Sequence, residues 1–226
     1  MKFPRGAYPA DRAAALSGVP LSTVHWWARN DVLVPSVSAE RVKLWSYADL
    51  MGLRIIYWLR KTKTTDEGAT VPRSAMPSVR QALKQLAELD LGLWREDTGP
   101  TVAVDRAGRI IVTDSSPTAE GPHRQRRLHE EELLPITAPF EGADGARGPD
   151  LRVPRPQLRI VPGKLGGAPH VAHTRVESQA LWALVSSGLD GASVYRLYPT
   201  LSPEAVDQAF DLERQLAANL RQPIAA

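Results

Sequence analysis

The residues best suited to touching a nucleic-acid duplex crowd into L-S-T-V-H-W-W-A-R, residues 21–29. His25 and Arg29 are four apart, so on a helix they share an outward face with Ser22 and Trp26, while Val24 and Trp27, three apart, turn inward. His25 and Arg29 can donate to base edges or phosphates, and Ser22 and Thr23 to phosphate near the helix start. Of the Trp pair, Trp27 is assigned to the core and Trp26 to the DNA side. Arg41 and Lys43 follow on a wing that reaches the flanking backbone. Catalytic chemistry is missing by contrast: no nucleophile stands at a recognisable spacing from a base, and there is no P-loop and no G-x-G-x-x-G. Glu130-Glu131-Glu132 read as solvated carboxylates. His170 and His173, three apart on an extended segment, point to opposite faces and read as structural or surface residues. A protein that is not an enzyme, with no catalytic residues, metal or cofactor, is the expectation.

The elements that must position these groups come next. Pro9 suits a first helical turn over 9–17, Gly18 ends it, and Val19-Pro20 rounds the corner into 21–29. Ala-rich helices joined by a glycine turn also occur in ordinary bundles, but here a wing follows: Val32 to Pro35 read as one strand, Arg41 to Trp45 as its partner, and 36–40 as the tip. Ser46 precedes Asp49 by three residues, a short-acid capping box opening a helix over 47–61. That helix carries one apolar stripe of Leu50, Leu53 and Tyr57 and another of Met51, Ile55 and Trp58. A helix over 77–89, with Val79, Leu83 and Leu86, is expected to cover the second stripe, within the chain or in a dimer. Strands follow at 93–94, 101–104 and 109–113, the last two joined by a turn at 105–108.

Residues 114–157 turn to Pro, Gly and charge, and the default reading is a solvated linker. The sharper reading is a segment that orders on a partner through Leu133, Leu134, Ile136 and Phe140. Beyond it lie a short strand at 158–161, a glycine turn, an extended return at 170–176, a helix to Gly188, a short helix over 193–198, and a last helix announced by Ser202-Pro203-Glu204. The fold class is therefore mainly α with small β elements: a winged helix-turn-helix with an added helix and hairpin over 1–113, a linker over 114–157, and a small three-helix domain over 158–226.

The chain has 226 residues and a formal net charge of +3. The excess sits on residues 1–61, with nine Lys and Arg against four Asp and Glu, where phosphate neutralisation would use it. The absence of cysteine excludes disulfides and thiolate metal sites. No long apolar run and no apolar N-terminal core appear, so a cytoplasmic protein is expected.

Residues 8–61 resemble the MerR-type winged helix-turn-helix at Tyr8, Ala14, Gly18-Val19, Thr23-Val24, Trp26-Trp27, Leu33, Pro35 and the S-x-x-D-L start of the third helix. Pro20 replaces the usual small polar cap, and Asn30-Asp31 replaces a Gly-containing pair, although both residue types tolerate a left-handed backbone. Farther on, Gly167, Pro169, Thr174-Arg175-Val176, Gly188, Tyr198-Pro199, Leu201 and Ala209 are similar to a small domain family of long-unassigned function, with His173 where that family has Gly. The second resemblance implies a helix-turn-helix-like fold in antitoxin-like proteins, and the combination resembles a subgroup of VapB-type antitoxins. It implies a PIN-type ribonuclease toxin as partner and autorepression at operator DNA, which a homodimer would read as an inverted repeat. Arg126, Arg127, Arg152 and Arg155 are candidates for silencing the toxin's metal site, with Leu133 and Leu134 as anchors. The alternative is a MerR-like regulator with a ligand- or protein-sensing C-terminal domain and no toxin.

Overall fold

The computed structural model describes residues 6–64, 70–89, 101–113, 133–142 and 145–221. A strand β1 (Tyr8–Pro9) leads directly into α1 (Ala10–Ser17), and α2 (Leu21–Arg29) follows across a tight turn. Gly18 makes that turn at φ +73°, and its N–H donates to Ala14 O at 2.9 Å. A side chain there would also be excluded by space, because a Cβ would stand 2.7 Å from the Gly148 backbone nitrogen. Alanines 13–15 and Leu16 are buried, as are Val24 and Trp27 of α2. Asp31, after α2, adopts φ +51°, so the left-handed turn survives without glycine.

The wing departs from expectation. Val32 to Pro35 form no strand; β2 (Leu44–Trp45) pairs antiparallel with β1, and its only wing contact in the ladder is a single bridge to Ser38 among the described residues. The donors at the two ends of this stretch are committed elsewhere. Val32 N–H closes the end of α2 on Trp27 O, Pro35 has none, and Ser36 N–H donates to the Asp49 carboxylate at 2.9 Å. Asp49 also accepts Ser46 N–H at 2.7 Å, while Ser46 Oγ accepts Asp49 N–H, so the capping box opens α3 (Tyr47–Arg60) as expected.

Most of both stripes of α3 is buried, with Leu50, Met51, Leu53, Ile55, Ile56 and Leu59 closed to solvent and Tyr57 and Trp58 half-buried. The second cover is intramolecular. After the short ribbon β3 (Lys63–Thr64) and β4 (Thr70–Val71), α4 (Met76–Glu88) packs on α3. Gly52 permits the approach, since its Cβ position lies 3.2 Å from Leu83 and 3.3 Å from Leu33. The hairpin β5 (Thr101–Asp105) and β6 (Ile110–Thr113) forms with Val104 opposite Ile110, and β7 (Leu133–Pro135) adds to the other edge of β5. Residues 93–94 and 114–132 lie outside the described residues.

Residues 133–142 and 145–157 are not a solvated linker. Ile136, Phe140, Ala146 and Leu151 are buried, and β8 (Phe140–Glu141) pairs with β9 (Arg147–Gly148) beside α1. The reason is Arg54, a fully buried cation on α3. Its Nε donates to Ser17 O, Nη1 to Ile136 O and Ala138 O, and Nη2 to Leu16 O and Pro149 O, at 2.6–3.2 Å. All five guanidinium N–H groups are thus matched by backbone carbonyls, and the Phe140 ring lies 5.6 Å from the guanidinium carbon. Two of the acceptors are end carbonyls of α1, which lack helical partners and carry the negative end of its dipole.

Beyond β10 (Leu158–Arg159) and its partner β11 (His170–Val171) stand α5 (Ser178–Ser186), α6 (Gly191–Leu197) and α7 (Pro203–Leu220). Asp190 and Ser202 cap the last two helices. α7 packs on both α5 and α1, so buried residues as far apart as Tyr8 and Leu216 share one contiguous apolar cluster. Arg12 and Glu213 join α1 to α7 in a two-pronged pair at 2.6 and 2.7 Å, and Tyr8 Oη donates to Gly167 O at 2.7 Å. Among the described residues no helix is long and apolar enough to cross a membrane.

Burial pushes Arg54 down to about 9, so it remains a cation at pH 7. An Arg54→Lys variant has three donors for five carbonyls and orphans at least two; at about 1–3 kcal/mol per orphan, stability falls by about 2–6 kcal/mol. A lower urea midpoint at unchanged slope is the expected reading. Burial raises the phenols of Tyr8 and Tyr47 above their ordinary value of 10.0. The folded chain therefore holds protons that the unfolded chain releases, and these two groups withdraw stability as pH rises past 10. Arg54 acts in the opposite sense above about 9, as one group against two. Tyr47→Phe, compared with the parent by urea unfolding at pH 8 and 11, should lose less stability on going to the higher pH.

Candidate nucleic-acid interface and partner surface

α2 is positioned by two burials. Val24 and Trp27 are buried in the apolar core on the side where α2 packs on α1, which leaves the opposite side outward. On that side Ser22, His25, Trp26 and Arg29 are exposed and Thr23 is half-buried. Trp26 is 52% exposed against 8% for Trp27, so the pair divides as its spacing requires. Pro20 stands at the N-cap with no side-chain acceptor, which leaves early N–H groups of α2 without a side-chain cap. Asn30 Nδ2 donates to Trp26 O at 2.8 Å and closes the other end.

Beside α2 the wing offers Arg41, exposed, and Lys43, half-buried. The two are not equivalent. Lys43 Nζ donates to Ala39 O at 3.0 Å, and Ser38 Oγ to Val42 O at 2.7 Å, so the hairpin draws the ammonium inward and stiffens its own turn. Arg41 and Val42 remain outermost, the latter 63% exposed. Of the two cations, Arg41 is the more exposed.

The proposed partner residues scatter. Arg126, Arg127 and the Leu133 side chain lie outside the described residues. Leu134 is half-buried in β7 against the core, and Arg152 is half-buried. Arg155 is gripped by α7: its Nε donates to Asp211 at 2.7 Å and Nη2 to Gln215 at 2.5 Å. Its guanidinium fastens the segment before β10 to the last helix.

His170 is buried, with Nδ1 2.9 Å from Ala168 O, while His173 is exposed in the turn beyond β11. His173 adopts φ +59°, a left-handed conformation, which explains why glycine suits that place and why histidine strains it. Thr174 holds the turn by donating from Oγ1 to Val171 O and accepting Val176 N–H.

Two constellations were not anticipated from the sequence, and both leave a trace in it. Arg54 stands alone among apolar residues on every side of α3, a placement that demands either exposure or a full set of acceptors. Glu213 falls on the inner face of α7, between Ala209 and Leu216, and is buried with Arg12 Nη1 and Nη2 on its two oxygens. Ser178 Oγ also donates to Glu213.

Residues 159–211 match the model of a family described as a protein of unknown function (DUF433). The match runs from β10 into α7 and falls on the stretch whose G-x-P and T-R-V pattern carries the second resemblance. No curated protein and no solved structure matches the chain.

The strained turn gives a direct check. His173→Gly relieves the left-handed conformation, worth about 1 kcal/mol, less the added freedom of glycine in the unfolded chain. The substitution should leave the thermal midpoint unchanged or slightly raised, whereas His173→Val should lower it.

Proposed function

We propose that this protein is the antitoxin of a toxin–antitoxin pair. Its helix-turn-helix binds the operator of its own operon, and its C-terminal part binds and inhibits a PIN-type ribonuclease. The observation that carries the DNA half is the outward face of α2, where an exposed indole sits among His25, Arg29 and Ser22. A large aromatic left in water beside donors is suited to a duplex, whose major groove offers both acceptor edges and thymine methyls. Arg41 supports it from the wing as a phosphate contact. A single small reader binds weakly, and a two-fold dimer over an inverted repeat supplies the second half-site.

The partner half rests on the resemblance over the C-terminal stretch. A PIN-type site is a carboxylate cluster holding a divalent ion, and an inserted arginine or a covered RNA groove would silence it. Arg126, Arg127, Arg152 and Arg155 are the candidates for insertion, and Arg155 would first have to leave Asp211 and Gln215 of α7.

One observation favours a second reading, a MerR-like regulator without a toxin. α1 packs on α2 by one side and on α7 by another, so occupancy of the C-terminal part would be felt at the reader.

Arg29→Ala should weaken operator binding by about 1–3 kcal/mol if it reads a base edge, with relaxed specificity at that position. Arg41→Ala should weaken binding on all sequences alike and reduce the salt slope by about one. Lys43→Ala should do less, because its ammonium already serves the hairpin. Fluorescence anisotropy across a salt series separates the three. For the partner, the neighbouring gene is co-expressed and pulled down; a product that neither co-purifies nor loses toxicity sinks the antitoxin reading and favours the regulator.

A further inference from the structure

Away from the outward face of α2, a cleft of about 360 Å³ lies where α1, the 165–168 turn, the start of α5 and the end of α7 meet. Ala15, Leu216, Ala217, Leu220 and Trp182 supply its apolar lining. Leu220, 39% exposed, carries that lining out to solvent. Among the described residues, three carboxylates and one guanidinium line the same space: Asp11, Glu177, Glu213 and Arg12. Glu213 and Arg12 neutralise each other in the pair already described. Asp11 is exposed and Glu177 half-buried, and their charges are left to set the sign of the field in the cleft.

A negative field over an apolar lining with an indole selects one chemistry. A carboxylate or phosphate is repelled. A wholly apolar group leaves Asp11 and Glu177 partly desolvated without a partner. A cation beside an apolar group satisfies both, with the Trp182 ring available to the cation. The size is at the lower end of the roughly 300–1,000 Å³ of ligand pockets. The cleft opens to solvent at Asp11, Gly166, Gln179 and Leu220, all exposed. A site so open holds one or two side chains while the rest of the ligand stays outside, which fits a polypeptide better than a free metabolite.

We propose that this cleft is the receptor for one basic side chain and its apolar neighbour, presented by a segment of a protein partner. The inference takes from the antitoxin reading only the existence of such a partner; the chemistry of the cleft stands without it. The partner therefore docks here through its own arginine or lysine, while any arginine it receives in its carboxylate site comes from another part of this chain.

The test is nuclear magnetic resonance on the full, nitrogen-15-labelled chain with three capped dipeptides: N-acetyl-leucyl-arginine amide, its uncharged citrulline counterpart, and N-acetyl-leucyl-glutamate amide. The arginine peptide should shift the amides of Ala15, Gly166, Gln179 and Ala217 and the Trp182 indole N–H. The citrulline peptide should bind about 5-fold more weakly, the scale of one partly exposed cation interaction, and the glutamate peptide should not bind. Glu177→Gln should weaken the arginine peptide about 3- to 5-fold while leaving the citrulline peptide unchanged. Ala217→Trp, checked for an unaltered thermal midpoint, should abolish binding by filling the space. Equal responses to all three peptides, shifts confined to other parts of the chain, or no response overturns the proposal. So does a toxin that co-purifies with Ala217→Trp as well as with the parent. A chain that binds the arginine peptide but no toxin would instead remove the antitoxin reading and leave the cleft.

Discussion

A guanidinium shut away from water must find an acceptor for every N–H, and in this protein that demand decides the tertiary arrangement. Arg54 cannot satisfy itself from α3, whose own carbonyls are used along the helix. It takes the end carbonyls of α1, two from the turn at 136–138, and one from Pro149. Three stretches far apart in sequence are therefore held to one point. The Phe140 ring over the guanidinium and the backbone of Gly148 against Gly18 close the same junction. Tyr47, about two turns earlier on α3, repeats the device more simply by donating to Leu151 O at 2.8 Å.

The second constraint is the sharing of α1. Eight residues long, it is fastened to α2 through small side chains and to α7 through Arg12 and Glu213, with Asn219 donating to Ala15 O at 2.9 Å. Its alanines let both neighbours approach closely. A reader built this way is rigid where it would meet a duplex, because the helix behind α2 is itself clamped. The same clamp gives the C-terminal part a mechanical path to α2 and sets a cleft of mixed apolar and acidic character at the junction. Trp26 and Arg29 gain their exposure from this arrangement: the faces of α2 able to pack are already occupied.

Much of the local structure was legible because local rules govern it. Gly18 with Pro20, the Ser46–Asp49 box, and Ser202-Pro203 each mark a helix end through backbone groups a few residues away, and each helix begins or ends where they indicate. The Trp26–Trp27 division follows from helical spacing alone. The wing differs from its sequence reading because the apolar run Val32-Leu33-Val34 suggests a strand, while a carboxylate on another element, Asp49, takes the Ser36 donors. The segment from 133 onward was misjudged because Pro, Gly and charge resemble a solvated chain. A stretch whose carbonyls are bound by one buried arginine needs no apolar periodicity of its own.

What the amino-acid order determined by itself, then, was which helices form, where they stop, and which of their faces can be wetted. Those properties depend on neighbours within a turn or two. Tertiary structure alone decided that Ile136, Phe140, Ala146 and Leu151 belong to the core, that Arg155 is tied to α7 and Lys43 to its own hairpin, and that Arg12 meets Glu213. Each of those depends on donors and acceptors brought together from distant parts of the chain, and a donor's partner is set by geometry after folding, not by its position in sequence.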